Sequence, residues 1–291
     1  MNSRQPPSTR IWVILARKAP LAAVIRRGPN RHVQLLKWDL AADTFEPGQW
    51  FKGRIYERRC DVSPDGELLI YFAATYKQPL RSWTAISKLP EFTAQALWPK
   101  GDGWNGGGYF TGDREIHLDH FPGDDVPHPD YQTRCRKFRI TSNAAWRGED
   151  DPVWCSTRER DGWVLHSNGV WGEYYLRDSS VHKASVPESW RRPHGQSPRS
   201  LEMSIEGIGM RNGPWYVTTY RVLDHLGSEV LRLGLTDWAD WDQRGDLLYA
   251  RHGCLYRQAF TEAGPSPAVK LIDLTANKCP HLSARDWAQT Y

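Results

Sequence analysis

A cluster of histidines and carboxylates in the middle of the chain contains residue types that could bind a metal. His117, Asp119 and His120 are followed by four more such side chains, Asp124, Asp125, His128 and Asp130. Imidazole and carboxylate groups are ligands of Zn and Mn, and on an extended strand His117 and Asp119 would share one face, with His120 opposite. The spacing matches no metal motif, so the alternative is a polar surface loop with incidental histidines, and no cofactor is predicted.

A second set of side chains could hydrolyse a glycosidic bond, a reaction that needs two carboxyl groups at a set separation. Asp61 and Asp240 hold equivalent places in two copies of a repeated phrase, and Glu57 lies close to the first copy. The alternative is structural, because an Asp beside a turn commonly accepts hydrogen bonds from backbone N–H groups. Recurrence at the same place favours the structural role.

Tryptophans with polar neighbours form the third candidate, a ligand-binding rim. Aromatic rings can stack on a sugar, a base or a partner's side chain. The candidate ligand-binding residues are Trp104, Asn105, Trp190, Arg191, Trp238 and Asp240, and Trp287 holds a similar place. Glycines 106–108 follow Asn105 and would admit a backbone or a ligand at close range. The alternative is that the tryptophans fill space between packed sheets.

The elements that must position these residues are predicted from the repeat itself. Asp61–Ile70 and Asp240–Tyr249 share an Asp, a Gly and two Leu at matching places. These two copies are anchored at Asp65 and Arg244. Weaker copies, anchored at Lys18, Asp113, Asp161 and Arg199, complete a set of six with a period of roughly 45 residues, which is typical of a β-propeller. Each anchor is predicted to lie in a turn between the inner strand and the second strand of a blade. The prediction is an all-β fold: a single β-propeller of six four-stranded blades, with five or seven as alternatives.

Two short motifs carry a resemblance to known families. Trp38-Asp39-Leu40 before a polar turn, and Ser63-Pro64-Asp65-Gly66 before an apolar strand, resemble WD-repeat and TolB-like propellers. The Gly-His element of eukaryotic WD repeats is missing, which favours the bacterial TolB-like side. The chain also resembles an uncharacterised group of Trp-rich bacterial propeller proteins. These resemblances imply the propeller fold and no particular activity.

Composition limits the classes of partner. The chain has 291 residues and a net charge of +4 without a long Lys/Arg block, which argues against nucleic acid. Five Cys without close pairs indicate reduced thiols rather than a disulfide framework. The apolar run 11–16 is too short for a signal sequence or a membrane span. We therefore expect a cytoplasmic protein that does not enter the membrane.

The domain and function predictions follow from these observations. Residues 1–9 are predicted to be a disordered tail and residues 10–291 to be one propeller domain. Residues 119–133, which contain three Pro, are predicted to be an insertion between strands of the third blade. The predicted function is a non-catalytic binding or protein-interaction module whose unknown protein or small ligand lies at the channel rim. The alternative is a carbohydrate-active hydrolase that uses Asp61, Asp240 and Glu57.

Overall fold

The computed structural model describes residues 9–28, 31–143, 150–171, 181–209, 213–261, 264–279 and 285. The described residues form mainly β-strands in several sheets, which confirms an all-β protein and is compatible with a propeller. The chain divides into two compact units. The N-terminal unit contains residues 13–161 and 278–291, and the C-terminal unit contains residues 1–12 and 162–277. Of the predicted tail, only Thr9 lies within the described residues.

The first sheet is a four-stranded meander, in which each strand pairs with the next along the chain. Its strands are β1 (Arg10–Leu15), β2 (Leu21–Arg27), β3 (His32–Asp39) and β4 (Thr44–Lys52). The unit boundary falls within β1. The core of β2 is almost continuously buried, as expected for a strand that is covered on both faces.

The second sheet carries the first copy of the repeated phrase. Its strands are β5 (Arg54–Ile55), β6 (Asp61–Val62), β7 (Leu68–Ala74), β8 (Ser82–Lys88) and β9 (Ala94–Pro99). All seven residues of β7 are buried. The turn between β6 and β7 contains Gly66 at φ +78, a backbone conformation that suits Gly. The repeated phrase thus forms the turn that was predicted for it.

The remaining part of the N-terminal unit mixes strands with two short helices. It contains β10 (Gly108–Phe110), β11 (Glu115–Leu118), helix α1 (Gln132–Cys135), β12 (Arg139–Ser142) and helix α2 (Asp151–Arg160). The predicted insertion 119–133 does lie between two strands, β11 and β12. These strands are parallel, which requires a long connection between them. Before the anchor Asp161 the prediction of an inner strand was wrong, because α2 stands there.

The C-terminal unit contains two larger antiparallel sheets. The five-stranded sheet consists of β13 (Val164–Trp171), β14 (His182–Pro193), β15 (Ser200–Ile208), β16 (Tyr216–Leu223) and β17 (Glu229–Leu235). The last sheet pairs β18 (Trp238–Trp241), β19 (Leu247–Arg251), β20 (Cys254–Gln258) and β23 (Val269–Asp273). A small hairpin, β21 (Phe260–Thr261) with β22 (Gly264–Pro265), lies between β20 and β23.

The anchors of the sequence repeat have a common structural place. Five of them lie in turns between consecutive, hydrogen-bonded strands, namely Lys18, Asp65, Asp113, Arg199 and Arg244. This agreement arises because Pro, Asp and Gly encode turns locally, whatever the rest of the fold does. The described residues form five sheets of three or more strands, so the predicted number of blades stays a prediction.

Two further sequence predictions concern cysteines and membranes. The five cysteines are free thiols, of which Cys60, Cys135 and Cys254 are buried. Among the described residues, no helix has both the length and the apolar character needed to cross a membrane. The cytoplasmic location stays a prediction.

Candidate functional site

The glycine run of the N-terminal unit lets its own backbone pack closely. A Cβ at Gly107 would lie 2.2 Å from the carbonyl oxygen of Arg59, and one at Gly108 would lie 2.2 Å from that of His117. At Gly106 it would lie 2.5 Å from the ring of Phe72. Of the two roles open to these glycines, the described contacts favour close approach of a backbone or ring rather than of a ligand.

Asn105 and Asp119 meet beside this run. Asn105 has a positive φ of 53, and its Nδ2 donates to Oδ2 of Asp119 over 3.3 Å. The backbone closes the same contact, because Gly106 N–H donates to the Asp119 carbonyl at 2.7 Å and Asp119 N–H donates to the Gly107 carbonyl at 3.1 Å. Both side chains are buried. Asn105 is therefore a positioning residue for Asp119, a pairing that the sequence did not indicate.

His120 belongs to a buried hydrogen-bond chain on the other side of the same segment. Gly107 N–H donates to Thr84 Oγ1 at 2.7 Å, and Thr84 Oγ1 lies 2.8 Å from His120 Nε2. His120 Nδ1 lies 2.8 Å from the carbonyl of Asp124, which can only accept, so Nδ1 carries the proton and Nε2 accepts from Thr84. Burial lowers the pKa of His120, and the bond to Asp124 offsets this only in part.

A cavity of about 190 Å³ lies in the N-terminal unit between α2 and the strands β10 and β11. Three carboxylates line it, Asp119, Asp151 and Glu159. The other seven lining residues are neutral or titrate near neutrality: Tyr109, His117, Asn143, Pro152, Val153, Cys155 and Ser156. Neither Lys nor Arg is among the ten. The lining is therefore acidic, although the chain as a whole carries a net charge of +4.

His117 does not offset this negative charge. Burial lowers its pKa, and the hydrogen bond to the Asn143 carbonyl raises it only in part, so the ring is neutral at pH 7. Its Nδ1 lies 3.0 Å from Thr141 Oγ1, and its ring packs against Tyr109 with centroids 5.0 Å apart. As predicted for an extended strand, His117 and Asp119 both face the cavity, while His120 bonds to Thr84.

The three metal candidates each form hydrogen bonds with different partners within the chain. His117 bonds to Thr141, Asp119 accepts from Asn105, and His120 is engaged on both ring nitrogens. Within the described part of the chain, no group of three or more His, Cys, Asp or Glu side chains is arranged to hold a metal ion.

Each candidate catalytic carboxylate lies against an arginine. Asp61 is 1% exposed, and Arg160 binds both of its oxygens, at 2.5 and 3.0 Å. Burial lowers the pKa of Arg160, but Asp61 and Asp161 outweigh it and raise that pKa above its ordinary value. In the same way, Arg27 pairs with Glu57 and Arg192 with Asp240.

The predicted structural role of Asp61 and Asp240 was to accept hydrogen bonds from backbone N–H groups of the turn. Other residues largely fill this role. In the first copy of the phrase, Asp65 accepts from Ser63 and from the Glu67 N–H. In the second copy, Asp242 accepts from the N–H groups of Arg244 and Asp246, both at 2.9 Å. Asp61 instead accepts from the Phe110 N–H of a different strand, at 2.8 Å.

The residues of the predicted rim differ widely in exposure. Trp104 is 63% exposed, whereas Trp190 and Trp238 are 2% and 3% exposed. Trp190 lies within β14 and donates to Glu188 at 2.7 Å, and Arg191 pairs with Glu202. Trp104 and Asn105 belong to the N-terminal unit, and the other four candidates belong to the C-terminal unit. Trp287 lies outside the described residues.

Six of the ten residues that line the cavity come from α2, a helix that the sequence did not lead us to predict. The sequence does contain a pattern typical of a helix. Asp151 and Pro152 occupy the first turn of α2, and Arg158 and Arg160 occupy its last turn. Acidic residues and Pro favour helix starts, and basic residues favour helix ends. The strand period expected from the repeat hid this pattern.

Comparison with known proteins adds little. No protein-family model matches the chain, and no curated protein matches it. An uncharacterised protein from Listeria monocytogenes has 11% identity over 92% of this chain and 85% of its own, with a TM-score of 0.30. The GH43 protein BlXynB from Bacillus licheniformis has 11% identity over 99% of this chain and 60% of its own, with a TM-score of 0.35. Both TM-scores are too low to bear on function.

Proposed function

We propose that the chain is a non-catalytic binding module of the β-propeller type, and that its cavity in the N-terminal unit binds an ammonium or guanidinium group. The acidic lining is the observation that carries the proposal. Asp119 and Glu159 contribute carboxylates, and neutral His117 adds no opposing charge. Asp151 also stabilises the start of α2, where the helix dipole favours an acidic side chain.

The size of the cavity limits the ligand. At about 190 Å³ it is smaller than the roughly 300–1,000 Å³ of pockets for drug-sized molecules. A small organic cation or the end of a partner's Lys or Arg side chain has a suitable volume. The ring of Tyr109, packed on His117, offers an aromatic surface against which such a cation can rest.

The propeller architecture supports a binding role without specifying a ligand. Four sheets, β1–β4, β5–β9, β13–β17 and β18–β23, pair their strands in the order of the chain, as expected of blades. On this proposal the repeat continues around six blades, as the anchor spacing predicts.

The hydrolase alternative fits the described contacts less well. A glycosidase needs a carboxylic acid and a carboxylate in reach of one bond. Asp61, Asp240 and Glu57 each pair with an arginine, so in all three cases the described contact of the carboxyl group is a structural ion pair within the chain.

The test is calorimetric titration with cationic probes. We expect agmatine, cadaverine or choline to bind to the full chain, and carboxylate analogues of the same size not to bind. Glu159→Gln should weaken cation binding about tenfold, since it removes a charge-assisted contact worth roughly 1.4 kcal/mol. The matched control is Glu67→Gln, whose side chain is 61% exposed and pairs with Lys37 away from the cavity.

Titration of a Lys- or Arg-containing peptide separates the two sources of the cation. Tighter binding of the peptide than of the free amine would point to a partner protein. If neither class of cation binds, or if Glu159→Gln leaves the affinity unchanged, the proposal is wrong.

A further inference from the structure

The edge strand β13 of the C-terminal unit has an unusual surface. Its sequence, Val-Leu-His-Ser-Asn-Gly-Val-Trp, has no Lys, Arg, Asp, Glu or Pro. Within the described residues β13 pairs with a single strand, β14. Val164, Leu165 and Val170 are 60%, 41% and 54% exposed, and Val186 of β14 is 47% exposed. An uncharged edge with exposed apolar side chains is a template for a further strand.

Other sheet edges in the same unit are protected by charge. On β17, at the far edge of the same sheet, Glu229 and Arg232 form an ion pair at 2.8 Å. On β23, at the edge of the last sheet, Lys270 and Asp273 pair at 3.7 Å. Charged side chains oppose pairing between sheets, so β13 is the edge among these three that is suited to accept a strand.

A β-bulge in β13 brings its apolar residues to one face. Leu165 is opposite Trp190 and Ser167 is opposite Ser189, so His166 is the extra residue. Beyond the bulge, Asn168 is opposite Glu188 and Val170 is opposite Val186. The β14 partners of Leu165, Asn168 and Val170 are alternate residues, and alternate residues share a face. Leu165 and Val170 therefore lie on the same face although they are five positions apart.

We propose that β13 pairs antiparallel with β13 of a second copy of this chain, about a two-fold axis at Asn168. In this register Asn168 of one copy is opposite Asn168 of the other, and Ser167 of each copy is opposite Gly169 of the other. The bulge residues Leu165 and His166 are opposite Val170. Val164 is then opposite Trp171.

The strand's own pattern singles out a second copy as the occupant. The two-fold register places apolar residues opposite apolar ones at both ends and polar or small residues opposite each other in the centre. Such self-complementarity is what a two-fold interface requires, because one surface serves both subunits. It also forms an apolar surface at each end of the shared face, where Leu165 of one copy lies beside Val170 of the other with Val186 next to it, on either side of the two Asn168 side chains. The proposal depends on the edge and is independent of the cavity.

Sedimentation of the full chain from about 1 to 200 µM tests the proposal, since pairing of one strand buries less than a standard interface and predicts micromolar dissociation. We expect reversible dimers in the wild type. Val170→Lys should raise the dissociation constant at least tenfold, because it places a charge within the apolar surface. The matched control is Val269→Lys on β23, a Val that is 60% exposed on an edge strand and should leave the dimer unchanged.

Cysteine crosslinking tests the register and does not require an apolar residue to be replaced. In a Cys279→Ser background, which removes an exposed thiol, Asn168→Cys should form a disulfide-linked dimer under mild oxidation. Ser167→Cys should not, because the two copies of position 167 lie diagonally, at roughly 7 Å or more. Mixing Val170→Lys with Leu165→Glu should restore dimers, since the opposite charges meet in this register.

The outcomes decide the proposal in each case. The proposal is overturned if the chain stays monomeric over the whole concentration range. That result would indicate that the β13 edge binds a different protein. A dimer that Val170→Lys does not weaken, or equal crosslinking at positions 167 and 168, also overturns it. If Val170→Lys fails to fold by circular dichroism, crosslinking through Asn168→Cys in the otherwise native chain decides.

Discussion

At the scale of single residues, pairing with arginine defines the roles of the carboxylates Asp61 and Asp240 that recur in the repeat. Asp61 is the clearest case, because it is buried, bound by Arg160 through both oxygens and bonded to the Phe110 N–H. Removing one member of a buried ion pair leaves the other charge without compensation. The side chain is thus expected to matter for stability rather than for catalysis.

Asp61→Ala tests this residue directly. We expect it to lower the free energy of unfolding by about 3 kcal/mol, the lower end of the range for a broken buried ion pair, because Arg160 would lose Asp61 and keep only Asp161 as a carboxylate partner. Asp240→Ala should cost less, since that side chain is more exposed, at 13%. Urea unfolding measures both effects. A stable Asp61→Ala protein that has lost a glycosidase activity of the wild type would instead support the hydrolase alternative.

At the scale of elements, the glycine run shapes the wall of the cavity. Gly107 joins the segment before β10 to the Arg59 backbone and, through its N–H, to Thr84. Any side chain at this position must displace a backbone carbonyl rather than a flexible side chain. The run therefore holds Asn105 and Asp119 in place through packing.

Gly107→Ala should destabilise the protein more than Gly101→Ala does. Both glycines have positive φ, +86 and +85, so both substitutions carry the cost of a left-handed backbone, about 1–2 kcal/mol. At Gly101 no atom lies within 4 Å of the added Cβ, whereas at Gly107 the Arg59 oxygen lies 2.2 Å away. Urea unfolding of the two variants gives the two losses of free energy. Their difference is the cost of the contact between the added Cβ at position 107 and the Arg59 carbonyl oxygen. Equal losses would show that the backbone there is free to move.

At the scale of the whole molecule, acid should unfold the chain in two ranges of pH. Burial holds the pKa of His120 below its unfolded value of 6.5. The contribution of neutral His120 to the stability of the fold is therefore complete above pH 6.5. This stability is lost as the pH falls below that value, because the unfolded chain then binds a proton more readily than the folded chain. Burial raises the pKa of Glu202, but Arg191 and Arg221 outweigh it and hold that pKa below 4.5. The stability from Glu202 is lost only below about pH 4.5.

Thermal or urea unfolding from pH 8 to pH 3 checks this order. Each group contributes a slope of at most about 1.4 kcal/mol per pH unit. His120→Asn should flatten the slope between pH 6.5 and 5, because it removes the buried ring whose pKa is lowered. Glu202→Gln should flatten only the more acidic range. A wild-type stability that does not change between pH 7 and pH 5 would contradict the role of His120.

Local sequence patterns were sufficient to predict the all-β class and the turns at five of the six repeat anchors. These features depend on local chemistry: Pro, Asp and Gly specify turns, and alternating or continuous apolar runs specify strands. The helix α2 was within reach of the same local rules, from Asp151 and Pro152, but the repeat suggested a strand in its place.

Which side chains meet depends on the folded arrangement of distant parts of the chain. Arg160 reaches Asp61 across 99 positions of sequence, and Asn105 reaches Asp119 across a turn that the glycines make possible. The cavity combines side chains of α2 with those of β10 and β11, which no local pattern relates. Charge pairing and burial depend on distance in space, and the chain's local preferences fix that distance only within each turn or strand.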